Sequence, residues 1–402
     1  MQHEQCKEYK MERYVYADNA ATTPVSKEVV DAMMPYLTDK WGNPSSLHAK
    51  GREASIALED ARARIAACLG ADAKEIYFTS CGSESDNWAL KGAALAGKQK
   101  GRTHIITSKI EHHAALHACA WLEKQGFTVT YLGVDTNGVV SIEELKAAIS
   151  DKTALVSVML ANNEIGTIEP IAEIAKIAHE HGALMFTDAV QAIGNIPVNV
   201  KELGVDMLAL SGHKIHTPKG IGALYIKKGV RIDNLVDGGG QERGKRGGTE
   251  NLPYIIGLAT AIERAYARLP EMERVKELRN YLIDNILAAI PHSTLNGPRE
   301  GRLPGNLNIG FEYIEGESML LLLDAEGIAA STGSACSSAS LDPSHVLLAI
   351  GVPHERAHGS LRLSISTETT KEDADYILEK LPPIVQRLRD MSPLYEEAMQ
   401  AK

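Results

Sequence analysis

The chain has 402 residues, 44% of them hydrophobic, so a large apolar core is within reach without disulfides or a structural metal. Basic residues number 42 and acidic residues 52, a formal charge of −10 with no long basic block, which excludes nucleic acid as a main partner. Ordinary glycine and proline usage excludes collagen-like and low-complexity chains, and scarce aromatics (5%) leave Ala, Val, Ile and Leu to build the core, the mixture of helices packed on a buried sheet.

Met1–Arg13 is polar and charged, without the apolar stretch of a secretion signal. Apolar runs such as Met319–Leu323 fall far short of the roughly 20 residues that span a bilayer. Cys6, Cys68, Cys81, Cys119 and Cys336 form no C-x-x-C pair, and their odd number cannot close a disulfide framework within one chain. A soluble protein of a reducing compartment, the cytoplasm, is expected.

From about residue 50 the chain alternates. Glu53–Leu69 has helix periodicity, Ile76–Thr79 reads as a strand, a helix begins at Ser83, and His104–Thr107 is a second strand. His113–Gln125 follows as helix and Phe127–Leu132 as strand, and Ser141-Ile-Glu-Glu144 is a capping box that opens the next helix. Ala154–Leu160 is a continuous apolar strand, Ile171–His181 a helix ended by Gly182, and Ala183–Thr187 and Met207–Leu210 are two more apolar strands. Strands buried on both faces and separated by helices predict an α/β domain around a mostly parallel sheet. Beyond Asp237-Gly-Gly-Gly240 and the turn 242–248, one long helical region runs from Pro253 to about Ala289. Shorter segments (Leu307–Gly310, Ser318–Asp324, Leu361–Ser364) and a helix within Lys371–Arg389 predict a second, smaller α+β unit, with the boundary near residues 265–275.

Several strand ends carry chemistry. Ser211-Gly-His-Lys214 follows an apolar strand, and a lysine desolvated at such a turn becomes an amine nucleophile able to form a Schiff base; a solvated surface lysine is the plainer alternative. Asp188 and Gln191 leave the end of Ala183–Thr187, where ligands of open parallel sheets bind, so Asp188 is placed either to meet a cofactor's ring nitrogen or to cap a helix. The strand–turn–helix Phe78–Asn87 offers backbone N–H groups and the Ser83 hydroxyl to an anion, or is an ordinary helix cap. In Glu111-His112-His113, His112 can stack on a flat ring or move protons; adjacent histidines make poor co-ligands, so no metal is expected. Asn162-Asn163-Glu164 closes another strand. Ser331–Ser340 is a run of small residues that suits a mobile loop bearing an accessible thiol, Cys336, unless that thiol is buried in a close helix contact. Arg362, within an apolar strand, needs a carboxylate, either internal or the substrate's.

With Asp18-Asn-Ala-Ala-Thr-Thr-Pro24, Gly42-Asn-Pro-Ser-Ser46, Thr249-Glu-Asn251, Ser211-Gly-His-Lys214 and Gly333-Ser-Ala-Cys336-Ser-Ser338, the chain resembles the pyridoxal-phosphate-dependent cysteine desulfurases of the nitrogen-fixation and iron–sulfur-cluster-assembly type. The resemblance implies the fold of class V aminotransferases (aspartate-aminotransferase-like, fold type I). It comprises a large cofactor-binding α/β domain at 22–267 with a seven-stranded, mostly parallel sheet, and a small α+β domain from 1–21 and 268–402 that carries the cysteine loop, about 331–342. It implies that Lys214 carries the cofactor, Asp188 pairs with its ring nitrogen, Gln191 binds on the ring-hydroxyl side, and His112 stacks on the ring and moves protons. Gly82, Ser83, Ser211 and His213 would hold the phosphate, joined by Thr249 from the second subunit of a homodimer. Asn163 and Arg362 would orient L-cysteine, and Cys336 would accept its sulfur as a persulfide, releasing L-alanine. An iron–sulfur scaffold protein would be the acceptor, with Cys336 a transient cluster ligand. A selenocysteine lyase or an aminotransferase on the same scaffold is the alternative; the loop bearing Cys336 speaks against a plain aminotransferase.

Overall fold

A computed structural model describes residues 13–332 and 343–400. Its strands are β1 (Val15–Tyr16), β2 (Ile76–Thr79), β3 (His104–Ser108), β4 (Thr128–Leu132), β5 (Thr153–Ser157), β6 (Leu184–Asp188), β7 (Met207–Ser211), β8 (Gly222–Ile226), β9 (Ser293–Leu295), β10 (Asn306–Phe311), β11 (Ile328–Ala329) and β12 (Ser360–Ser364). Seven of them form one sheet in the order β2-β8-β7-β6-β5-β3-β4. From β7 to β4 every pairing is parallel, while β8 runs antiparallel to both β7 and β2. β2, β3, β5, β6 and β7 therefore share one direction, and their carboxyl ends open on the same edge.

All five residues of β5, β7 and β8 are buried, because helices cover both faces. On one face lie the helices Ala49–Leu69, Ile171–Glu180 and Leu252–Ala267, on the other Gly82–Lys98 and His113–Lys124. The helix Ile171–Glu180 shows how the pattern works: Ile171, Ile174, Ala175 and Ala178 recur at the spacing of one helical face and are buried, and Gly182, at φ 66°, lets the chain turn into β6. Each fully buried Ile or Leu contributes about 1.5–3 kcal/mol. A further cluster gathers Val15 and Ala17 with the helices Met272–Ala289, Gly316–Ala325 and Lys371–Asp390 around the antiparallel sheet β12-β10-β9.

Two local expectations are corrected, and one of the two readings of Asp188 is closed. The helical region from Pro253 to Ala289 is two helices, Leu252–Ala267 and Met272–Ala289, separated by a tight turn at Leu269–Glu271 in which Pro270 has no N–H to continue the ladder. At residue 141 only half of the capping box exists: Ser141 accepts from the Glu144 N–H, but the Glu144 carboxylate accepts from Gly133 N at 2.7 Å instead of turning back. Finally, no helix follows Asp188; its Oδ1 accepts from Val190 N at 2.8 Å in a local turn.

Candidate active site

The shared strand edge builds one cavity, lined by Ala20, Ala21, Cys81, Gly82, Ser83, Asp86, His112, Met159, Asn163, Asp188, Val190, Gln191, Ser211, His213, Lys214 and Arg362. Its volume is about 410 Å3, the size of a small-cofactor site. β2 delivers the turn 80–83, β3 leads to His112, β5 to Asn163, β6 ends on Asp188, and β7 ends on Ser211 and hands over to Lys214. Arg362 enters from β12 in the other sheet.

Lys214 Nζ donates to the carbonyls of Ala20 and Ala21 at 2.6 and 2.7 Å, so the segment after β1 fixes its amine inside the cavity. Gln191 Nε2 donates to Ala20 O at 3.0 Å, on the same segment. Asp188 is 6% exposed; burial pushes its carboxyl up to about 6, opposed by the Val190 N–H and by Lys214. His112 stands just before the helix His113–Lys124, and its Nδ1 accepts from Ala114 N at 3.1 Å. A ring nitrogen that accepts carries no proton, so the neutral imidazole bears its proton on Nε2. Burial, helped by Lys214, lowers its pKa to about 4, so this neutral form holds throughout the neutral range.

The helix Gly82–Lys98 begins with no side-chain cap, leaving its first turn to a ligand, with the exposed Ser83 hydroxyl beside it. Gly82 is required there, because a Cβ would meet Val190 Cγ2 at 2.9 Å and Ser211 Cβ at 3.3 Å. His213 Nδ1 lies 3.1 Å from Thr22 Oγ1. An amine, a buried carboxylate, a flat imidazole and a hydroxyl-rich helix start around one cavity form a donor set that fits pyridoxal phosphate.

Arg362 Nη2 donates to Asp18 Oδ1 at 2.9 Å and Nη1 to Asn163 O at 3.2 Å, while the buried Nε has no hydrogen-bond partner. Its carboxylate is thus internal, with a donor left over. Thr249 lies outside the cavity and is exposed. It follows a turn that two ion pairs hold against the cavity's rim. Arg62 makes a buried bidentate pair with Glu242 at 2.8 and 2.9 Å, and Arg246 Nε reaches Glu84 Oε1 at 2.8 Å. Glu242 and Arg243 both take left-handed backbone angles (φ 46° and 57°), which these bonds stabilise.

Cys336 and Cys6 lie outside the described residues; Cys68, Cys81 and Cys119 are free thiols. Among the described residues no group of three or more His, Cys, Asp or Glu is arranged to hold a metal ion, and no helix is long and apolar enough to cross a membrane. The sequence reading missed Asp86, the carbonyls of Ala20 and Ala21, and Asp18 as the partner of Arg362.

A family model for class V aminotransferases matches residues 15–377, nearly the whole chain, and a seven-stranded, mostly parallel sheet with a lysine-bearing cavity at its strand ends agrees with it. The chain belongs to the class V aminotransferase family. Its relatives there are cysteine desulfurases: it is 60% identical over 381 residues to cysteine desulfurase IscS of Methanosarcina thermophila, covering 94% of each chain, and 56% identical over 395 residues to that of Clostridium botulinum, covering 98% of this chain and 99% of the relative. Among solved structures it is similar to a NifS-like protein (TM-score 0.88, 41% identity, 94% of this chain and all of that one). It is also similar to SspA in complex with cysteine (TM-score 0.78, 37% identity, 89% of this chain and all of that one).

Proposed function

We propose that this chain is a pyridoxal-phosphate-dependent cysteine desulfurase that converts L-cysteine to L-alanine and keeps the sulfur as a persulfide on Cys336. The observation that carries the reading is the single cavity shared by Lys214, Asp188, Gln191, His112, the 80–83 turn and Arg362. The names of the relatives, and the cysteine complex of one of them, support the substrate.

When bound, pyridoxal phosphate supplies an electron sink for the substrate's α-carbon. Lys214 would hold it, Asp188 would meet its ring nitrogen as the anion, and Gln191 would bind on the ring-hydroxyl side. The uncapped helix start at Gly82, with Ser83, Ser211 and His213, takes the phosphate. Thr249 of a second copy completes that grip, which its exposure beyond a rigidly pinned turn allows. His112 would stack on the ring face and move protons through Nε2. Arg362 would orient the substrate carboxylate, its guanidinium held by Asp18 and the carbonyl of Asn163. The Cys336 thiolate attacks the substrate sulfur, the Cβ–S bond breaks, the sulfur stays on Cys336, and the carbon skeleton takes up a proton and leaves as alanine.

A homodimer is part of the reading. Met34, Leu37, Trp41, Leu47 and Ile56 are large apolar side chains exposed on the helix Lys27–Thr38, the segment after it and the start of the helix Ala49–Leu69, which is what an unfilled subunit interface looks like. The reading also includes the two-domain division at residues 22–267, a cytoplasmic setting in keeping with free thiols, and an iron–sulfur scaffold protein as acceptor, with Cys336 as a passing cluster ligand.

The test is to incubate purified protein with L-cysteine and quantify alanine and protein-bound persulfide, alongside Cys336→Ala and Lys214→Ala. Wild type should form both products and each variant neither at more than trace rate. Absence of alanine from wild type, or full-rate sulfur transfer by Cys336→Ala, rules the reading out.

A further inference from the structure

Asp86 lies in the second turn of the helix Gly82–Lys98 and lines the cavity, yet the proposed chemistry gives it nothing to do. It is 1% exposed, and its Oδ1 is buried with no hydrogen-bond partner. The neighbouring charges that bear on it come from Asp188 at the end of β6, Glu111 in the segment after β3 and Cys81 in its own turn, and all of them disfavour its ionised form; of the other ionisable groups lining the cavity, His112 is neutral. Lys214 and Arg362 line the same cavity but are engaged by the Ala20 and Ala21 carbonyls and by Asp18. An ionised carboxylate without a cation or N–H donors is costly in such a place, and two carboxylates sharing a site do not both ionise easily. Asp188 has what Asp86 lacks, an N–H bond from Val190 and the nearby Lys214. The charge therefore belongs on Asp188.

We propose that Asp86 is a positioning residue of the cofactor site, a buried carboxylic acid that keeps its proton and thereby leaves Asp188 as the anion that meets the ring nitrogen. The proposal rests on the assignment of Asp188 made above. Burial and the neighbouring acids push the Asp86 carboxyl well above its ordinary value, in keeping with this division of charge. Glu111 is held apart from the pair by its own bonds, accepting from Ser108 Oγ at 2.5 Å and Met159 N at 3.0 Å.

Infrared spectroscopy of the cofactor-free protein at neutral pH provides the test. Wild type should show a protonated-carboxyl stretch that shifts when aspartate carboxyls carry 13C, which separates it from the glutamates and needs no variant. The shifting band should persist in Asp188→Asn and disappear in Asp86→Asn. Melting curves of the same apo-proteins give a second readout. Asp86→Asn, which carries no ionisable proton, should gain stability relative to wild type as pH rises above the ordinary carboxylate range, because there the folded wild type retains a proton that its unfolded chain releases. No aspartate band in wild type, or a stability difference that is the same at every pH, overturns the proposal. Reconstitution with pyridoxal phosphate separates this from the site reading: if Asp188→Asn loads and absorbs like wild type, the assignment of Asp188 fails while the apo-protein band still decides Asp86.

Discussion

The carboxylate of Asp18 accepts a hydrogen bond from Arg362 Nη2 at 2.9 Å, joining residues 344 positions apart. The Arg362 side chain is 3% exposed and that of Asp18 19%, so the pair is screened only from the Asp18 side. It fixes the plane of the guanidinium of a residue that lines the cavity.

Lysine in place of Arg362 keeps the charge and loses the planar fork. Arg362→Lys should raise the KM for L-cysteine about 10- to 100-fold, the equivalent of a charge-assisted hydrogen bond of about 1.5–3 kcal/mol, and leave the visible spectrum of the loaded protein unchanged. Steady-state kinetics beside an absorption spectrum check both halves.

His112 should not titrate near neutrality. With Nδ1 accepting from Ala114 and a pKa near 4, its 15N spectrum should report the Nε2–H tautomer from about pH 5.5 to 8. His112→Gln should lower kcat by about 100-fold or more, the usual worth of a placed proton-transfer group. A resonance that moves through this range would contradict the geometry.

Asp188 separates stability from loading. Its folded pKa is raised to about 6, so whatever stability its protonated form provides is present in the ordinary carboxylate range and lost as pH rises through about 6. Above that pH, Asp188→Asn should melt about 2 °C or more higher than wild type in the cofactor-free state, yet retain pyridoxal phosphate poorly on dialysis. Wild-type retention should itself weaken as pH falls below about 6, when the anion is lost.

The Arg62–Glu242 pair is a folding element beside the site. Glu242→Ala strands a buried guanidinium, removes the acceptor of Phe78 N and releases two left-handed residues, which should cost about 3–5 kcal/mol in chemical denaturation. Glu242→Gln should recover part of this by keeping the Phe78 bond.

Much of the site was legible because apolar runs ending in polar turns announce strand ends, and a parallel sheet gathers those ends on one edge; Lys214, Asp188, His112 and the 80–83 turn all come this way. Asp86 was hidden because Ser83-Glu-Ser-Asp-Asn87 reads as a solvated helix start, and only the packing of the helix Gly82–Lys98 over the sheet turns that face inward. The carbonyls that hold Lys214 have no side-chain signature at all. Asp18 as the partner of Arg362 depends on two distant segments meeting, for which no local periodicity exists. Along the chain, the helical pattern of 253–289 outvoted Pro270, whose missing N–H splits it.

The cavity's two kinds of group come from very different stretches of chain. Apart from Ala20 and Ala21, the residues of one chain that would hold the cofactor lie within 81–214, whereas the Asp18–Arg362 clamp closes only after 362 residues have been made. On a ribosome that order sets a sequence of acquisition: a nascent chain halted after β8 carries the cofactor-side lining of its own cavity but lacks both Arg362 and the Thr249 proposed to reach a second copy's phosphate site. Capture of the cofactor can then precede recognition of the substrate, and a truncated chain would be coloured and inert.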